Sequence, residues 1–303
     1  MYQAHLLTRP LDNQPLDSAS VTRVISVHGL RKSYGDFEAL KGIDFELRAG
    51  EVFGLLGPNG AGKTTTVEIL EGYRKRDGGE VEVLGADPAA AGLDWRGRIG
   101  VVLQSSAMYE NLTVAEQLAQ FAGYYEHPRP VDEVIELIGL EEKRDTRARR
   151  LSGGQRRRLD LGLALIGDPE LIFLDEPTTG FDPGARRRAW ETIRSLSELG
   201  KTILLTTHYL DEVEQLADRV AVLREGRIVA AGTVQELTGG APATEIRYRR
   251  NGEVVVLETE EPTRVLHELT AQAIELGEEL EGLEVRRPSL EEIYLSLTQA
   301  EPE

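Results

Sequence analysis

Apolar and polar residues come close to alternating along Val24–Leu30, "VISVHGL", which predicts a half-buried strand. Phe45–Gly57, "FELRAGEVFGLLG", predicts two strands around a turn at Ala49–Gly50. The second runs into a glycine loop, and Thr64–Tyr73, "TTTVEILEGY", then takes on helical character. A further strand is predicted at Ile99–Leu103. Between residues 105 and 150 the period changes. Thr113 and Glu116 form a capping-box pattern, and Val114, Leu118, Phe121 and Tyr125 fall on one helical face. Val131–Leu140, "VDEVIELIGL", is a second short amphipathic helix, so an α-helical insertion interrupts an α/β core.

Two unbroken apolar runs follow, "LIFLD" (Leu171–Asp175) and "TILLTTH" (Thr202–His208), the pattern of parallel strands buried on both faces. Between them Asp182 can N-cap a helix, Pro183 suits its first position, and Gly200 can end it. Trp190, Ile193 and Leu196 give that helix its apolar stripe. "RVAVLREGRIVAAG" predicts a hairpin turning at Glu225–Gly226. Thr238–Thr244, "TGGAPAT", has linker composition. Beyond it lie strand-like "EIRYRR" and "EVVVLE", a helix from about Thr263, and a closing helix from Leu290 with a Ser289–Glu292 capping box. The expected organisation is a loose extension over 1–22, an α/β domain over 23–238, and a small α+β appendage over 239–303.

Composition narrows the function classes. The chain has 303 residues and no cysteine, which excludes disulfides and thiolate metal sites. Its five histidines show no metal-ligand spacing. A net charge of −17 argues against a general nucleic-acid binder. Of that charge, −9 falls within residues 241–303, where a solvated acidic face is the simplest reading. No apolar run reaches the ~20 residues that span a bilayer, and the N-terminus lacks the apolar core of a secretory signal. A cytosolic protein is therefore expected.

The candidate chemistry starts at Gly57–Thr64, "GPNGAGKT", set between a predicted strand and a predicted helix. Backbone amides of Gly57, Pro58's neighbours Asn59, Gly60, Ala61 and Gly62, and those of Lys63, Thr64 and Thr65 at the helix start, would cradle phosphate oxygens. Lys63 would reach the β- and γ-phosphates of ATP, and the Thr64 hydroxyl would ligate Mg²⁺. Asp175, closing an apolar strand, can hold the same Mg²⁺ through water, and Glu176 beside it is the candidate general base. His208 ends the next buried run and is expected at the same sheet edge, in reach of the γ-phosphate and attacking water. A second phosphate-like grip, "LSGGQ" at Leu151–Gln155, has no second nucleotide motif to serve.

These marks, in the order "GPNGAGKT", Gln104 in "VVLQ", "LSGGQ", "LIFLDEP", Asp182 in "TTGFDP" and His208, resemble the nucleotide-binding subunits of ABC transporters over roughly residues 24–238. The resemblance implies a P-loop NTPase core with an antiparallel β edge and a helical subdomain at about 105–150. It implies that Ser152, Gly153, Gly154 and Gln155 hold the γ-phosphate of ATP bound to another subunit, so two subunits sandwich two ATP molecules head to tail. By the same resemblance Tyr34 stacks on adenine, Gln104 touches the metal and links the site to a membrane partner, and Asp182 lies in a loop crossing the dimer interface. Phe181 stands where the family more often has leucine. The helical subdomain is expected to receive a permease helix near Ala107, Met108 and Tyr109, although a simply packed helix would read the same way.

"RRPSLEEIYLSLT" and "HYLDEVEQLADRV" further resemble exporter ATPases grouped with the daunorubicin-resistance transporters, which work with separately encoded permeases of the ABC-2 type. The resemblance implies a homodimer, or a pair with a sister ATPase, on the cytoplasmic face of a prokaryotic membrane. The appendage would brace the dimer, meet the permease, or only stabilise the fold. Two other readings are an importer ATPase, and a soluble ATPase driving a machine on DNA or the ribosome. Against the latter stand the single cassette, the acidic charge, and the absence of basic arms or a long coiled-coil insertion.

Overall fold

A computed structural model describes residues 22–102, 109–237, 244–250 and 253–286. The chain divides into two compact units, residues 1–231 and 232–303.

The first unit opens with β1 (Arg23–Tyr34) and β2 (Phe37–Arg48), an antiparallel pair joined at the two-residue turn Gly35–Asp36. After β3 (Val52–Leu56) and α1 (Lys63–Leu70), β4 (Gly78–Val83) adds to the other side of β1, giving a three-stranded sheet β2-β1-β4. A short α2 (Leu93–Arg96) leads to β5 (Ile99–Val102). The helical stretch holds α3 (Val114–Ala122) and α4 (Val131–Leu137), followed by α5 (Gly153–Leu165). Then come β6 (Leu171–Asp175), α6 (Pro183–Glu198), β7 (Thr202–Thr207), α7 (Leu210–Leu216), β8 (Arg219–Arg224) and β9 (Arg227–Thr233).

The main sheet has the order β5-β6-β7-β3-β8-β9, and β5, β6, β7, β3 and β8 run parallel. Every residue of β3, β6 and β7 is buried, as their unbroken apolar runs require. Because successive side chains point to opposite faces, each strand feeds two cores. Phe53, Leu55, Leu171, Phe173 and Leu204 pack toward the antiparallel sheet and α1. Val52, Ile172, Leu174, Ile203 and Leu205 pack toward the helices, against Leu118, Val134, Leu159 and Ile193. The helices form where the sequence signals them: Thr113 and Glu116 complete a capping box at α3, and Asp182 caps α6 through the Ala185 amide at 2.9 Å, with Pro183 at its first position. Glu225 and Gly226 both take positive φ, 48° and 78°, and so turn β8 back into β9.

Strands β4 and β12 were not foreseen from the sequence. The second unit contains α8 (Val234–Leu237), β10 (Thr244–Arg250), β11 (Glu253–Thr259), α9 (Pro262–Leu276) and β12 (Glu281–Arg286). Its antiparallel sheet has the order β11-β10-β12, and the inward residues Thr244, Ile246 and Tyr248 of the central strand are buried. The predicted linker, apart from Thr244, and the helix expected from Leu290 lie outside the described residues, as does the extension before Thr22.

Candidate nucleotide site

The glycine loop leaves the carboxyl end of β3, at the centre of the main sheet. Its course depends on residues without a side chain. A Cβ on Gly57 would lie 2.3 Å from the Leu223 carbonyl oxygen, and Gly62, at φ 111°, would meet Leu40 and the Ala39 carbonyl oxygen below 3 Å. Gly62 is also the N-cap of α1, where no side chain accepts from the first amides. The helix therefore begins with free donors and a partial positive charge, an open anion site.

Lys63 is buried, and its Nζ donates to the carbonyl oxygens of Gly57 at 2.8 Å and Pro58 at 3.2 Å. It also lies 3.3 Å from Glu176 Oε1. Thr64 Oγ1 donates to Asp175 Oδ2 at 3.2 Å. Two hard oxygen donors, one in the first turn of α1 and the other a carboxylate at the end of β6, suit Mg²⁺, a metal that keeps waters and substrate phosphates in its shell and needs no all-protein cage. The donor set thus fits the metal expected from the sequence.

The strand order explains how these residues meet. β7 lies between β3 and β6, and its Thr206 Oγ1 donates to Asp175 Oδ1 at 2.5 Å while accepting from the Glu176 amide at 3.0 Å. Glu176 has φ 48°, a left-handed backbone unusual for its residue type. Its Oε2 accepts from Thr179 Oγ1 at 3.1 Å, and its Oε1 lies 3.4 Å from His208 Nδ1. Burial opposes ionisation of the Glu176 carboxyl, but Lys63, the Thr179 hydroxyl and His208 outweigh it, holding the pKa below the ordinary value. The base candidate is ionised and paired with Lys63.

A cleft of about 350 Å³ is lined by Lys63, Thr64, Thr65, Asn59, Glu176 and Tyr34. Tyr34 is half exposed, its hydroxyl 3.3 Å from Thr65 Oγ1, with the Arg74 guanidinium 5.2 Å from its ring centre. The second grip lies elsewhere. Ser152 caps α5, with its Oγ accepting from the Gln155 amide at 3.3 Å and Gln155 Oε1 accepting from the Ser152 amide at 2.9 Å. The box leaves the hydroxyl proton of Ser152 available to an outside acceptor. Ser152, Gly153 and Gly154 line a separate cavity of about 820 Å³, with Thr179–Asp182 among its walls. Of the residues lining the two cavities, only Glu176 is shared. Gln104, Ala107 and Met108 lie outside the described residues.

The sequence reading did not find Thr206, Thr179 or the Arg157 contacts described below. For Thr206 a signal existed, a hydroxyl inside the apolar run of β7. Among the described residues no cluster of three or more His, Asp or Glu could hold a metal alone.

Comparison with known proteins agrees with this geometry. The ABC transporter family profile matches residues 40–179. The Nod factor export ATP-binding protein I of Rhizobium sp. (strain N33) is 41% identical, covering 92% of this chain and 98% of that protein. The daunorubicin resistance ATP-binding protein DrrA3 of Streptomyces coeruleorubidus is 38% identical over 90% and 95%. Among solved structures, cbiO1 from Clostridium perfringens, part of the ABC transporter complex cbiONQ, superposes with a TM-score of 0.64 at 29% identity, covering 71% of this chain and 90% of its own. Likeness at this identity runs through both units and through the site itself, so this chain belongs to the ABC transporter family, among its ATP-binding subunits.

Proposed function

We propose that this chain hydrolyses ATP for an exporter whose membrane-spanning permease is a separate chain, and that it acts in a head-to-tail pair with a second copy or a sister ATPase. The observation that carries the pairing is the separation of the two grips. Ser152, Gly153 and Gly154 do not line the Lys63 cleft, so they are free to serve a nucleotide held by another subunit. The exporter reading is supported by relatives named for Nod factor export and daunorubicin resistance, aligned over about nine-tenths of the chain. Such coverage necessarily includes the second unit. It does not favour the importer or the non-transport machine.

The residues divide the work as follows. The open N-terminus of α1 and Lys63 bind the phosphates, and Tyr34 offers a face to the adenine. Thr64 and Asp175 would hold Mg²⁺, with Gln104 a further candidate ligand from the sequence; the ion supplies charge neutralisation on the phosphate oxygens. Lys63, now shared between two carbonyls and Glu176, would turn to phosphate and release the carboxylate. Glu176 then orients the attacking water and takes its proton, with His208 beside it. Among the described residues no helix is long and apolar enough to cross a membrane, so membrane attachment is assigned to the permease, at the cytoplasmic face. A groove lined by Tyr73, Ile99–Val101, Phe121 and Tyr125, with exposed Tyr124 edge-on to Phe121, is the place we assign to the permease helix.

Glu176→Gln should retain bound ATP and lose turnover by a factor on the order of 100 or more, since the base is removed while the cradle stays. Pulled from gently solubilised membranes with ATP, this variant should bring down a polytopic permease in about equal amount. Normal turnover would remove Glu176 as the base. Recovery only from the soluble fraction, with nucleic acid or cytosolic proteins, would overturn the exporter reading.

A further inference from the structure

Three arginines follow Gln155 without a break, and each turns a different way. Arg156 Nη2 donates to the Arg149 carbonyl oxygen at 3.1 Å. Arg158 Nη1 donates to the Gly139 and Ile138 carbonyl oxygens, at 2.6 and 3.2 Å, where α4 ends and exposes its last acceptors. Arg157 points at the catalytic turn. Its Nη2 donates to the carbonyl oxygens of Asp175 at 3.0 Å and Glu176 at 3.4 Å, and its Nε to that of Pro177 at 3.3 Å.

Those three carbonyls belong to the metal acid, the base and the residue after it. A guanidinium carries five donors in one rigid plane and so fixes several acceptors relative to one another, whereas the three donors of an ammonium share one atom on a flexible stem. The turn needs such a hold. Glu176 sits at φ 48°, and a non-glycine residue stays in that region only when its surroundings over-determine it. On the amide side Glu176 is fixed by Thr206 of β7, through both the hydroxyl at 3.0 Å and the carbonyl oxygen at 3.1 Å. On the carbonyl side the hold comes from Arg157, on α5. Burial lowers the guanidinium's pKa from its ordinary value, against the pull of Asp160, Asp175 and Glu212, so the group is partly stripped of water to make these bonds.

The geometry points to Arg157 as a positioning residue for hydrolysis: it clamps the Asp175–Pro177 backbone so that the Glu176 carboxylate faces the nucleotide cleft, and it ties that turn to the helix opened by Ser152. The inference rests on Glu176 being the base. Arg157 does not line the Lys63 cleft, where the chain's own ATP would sit, although it is among the walls of the Ser152 cavity.

Arg157→Gln and Arg157→Lys, each alone and combined with Glu176→Gln, separate the possibilities. Turnover at saturating ATP, equilibrium ATP binding and melting temperature are measured for all. Arg157→Gln should lower kcat by about tenfold or more, as misplacement of a catalytic group does, with ATP affinity changed by less than about twofold. Arg157→Lys should recover part of the loss, since an ammonium keeps the charge and some of the donors but not the planar fork that spans the three carbonyls. On the Glu176→Gln background the Arg157 change should cost nothing further, because there is no base left to aim. A parental kcat in Arg157→Gln, or a loss that multiplies undiminished with Glu176→Gln, overturns the positioning role. If Arg157→Gln fails to fold, Arg157→Lys carries the same comparison. Parental turnover in Glu176→Gln alone would instead strike down the base reading.

Discussion

Two carboxyl groups near the phosphate loop are pushed in opposite directions. Glu176 is held ionised by Lys63, whereas the Glu71 pKa is pushed up to about 8 by burial first, then by the charges of Asp175 and Glu68. Glu71 closes α1, the helix that Lys63 opens, and its buried Oε1 has no hydrogen-bond partner. Its folded pKa lies above the ordinary 4.5, so between 4.5 and about 8 the folded chain holds a proton that the unfolded chain has lost. Stability from this group is therefore full at low pH and falls as pH rises through that window. Glu71→Gln removes the ionisation and should be more stable than the parent by about 1–3 kcal/mol at pH 8.5, with little difference near pH 5. Urea unfolding of both proteins at the two pH values checks this; an equal difference at both would show that Glu71 does not titrate in the window.

At the scale of elements, the two anion grips are two helix starts built differently. α1 opens on an uncapped glycine and α5 on a reciprocal Ser–Gln box; the two grips were legible in "GPNGAGKT" and "LSGGQ", but the box emerged only from the structure. Ser152→Arg breaks the box, at a cost of about 1 kcal/mol, and places a bulky cation in the large cavity. It should abolish hydrolysis while leaving ATP binding to the isolated subunit intact. Loss of that binding, measured by equilibrium titration, would mean that "LSGGQ" serves its own chain's nucleotide. Other elements were legible for the same reason: Asp182–Pro183 starts α6, Glu225–Gly226 turns a hairpin, and apolar runs make β6 and β7. β4, "GGEVEV", escaped because two glycines begin it and only Val81 and Val83 point inward; pairing with β1 makes it a strand. β12, "EGLEVR", is an almost wholly exposed edge whose alternation, Leu283 and Val285 around Glu284, is too short to announce a strand. The site divides likewise. Lys63, Asp175, Glu176 and His208 were read from motifs, but Thr206 matters because β7 happens to lie between β6 and β3. Arg157 matters through backbone carbonyls, which no side-chain pattern announces.

On the scale of the whole chain, every described nucleotide-site residue lies between Tyr34 and His208, within the first unit, while more than half of the net negative charge lies in residues 241–303. β9 ends at Thr233, where a Thr233–Glu236 capping box starts α8. A chain ended after Leu237 therefore keeps all of β9 and should bind ATP within about twofold of the full-length affinity, since nothing it loses lines the cleft. Fluorescent-nucleotide titration of the two chains checks this, and a tenfold loss would show that the second unit helps to form the site. The central strand sets a further condition. β3 is paired on one side by residues 203–207 and on the other by 219–222, some 150 residues later in the chain. Such distant pairings form slowly and late. A nascent chain on the ribosome thus displays its glycine loop long before either flanking strand has been made. Nucleotide can begin to stabilise the newborn protein only after residues 219–222 have been made, and until then the apolar strand that carries the loop is exposed to misassociation.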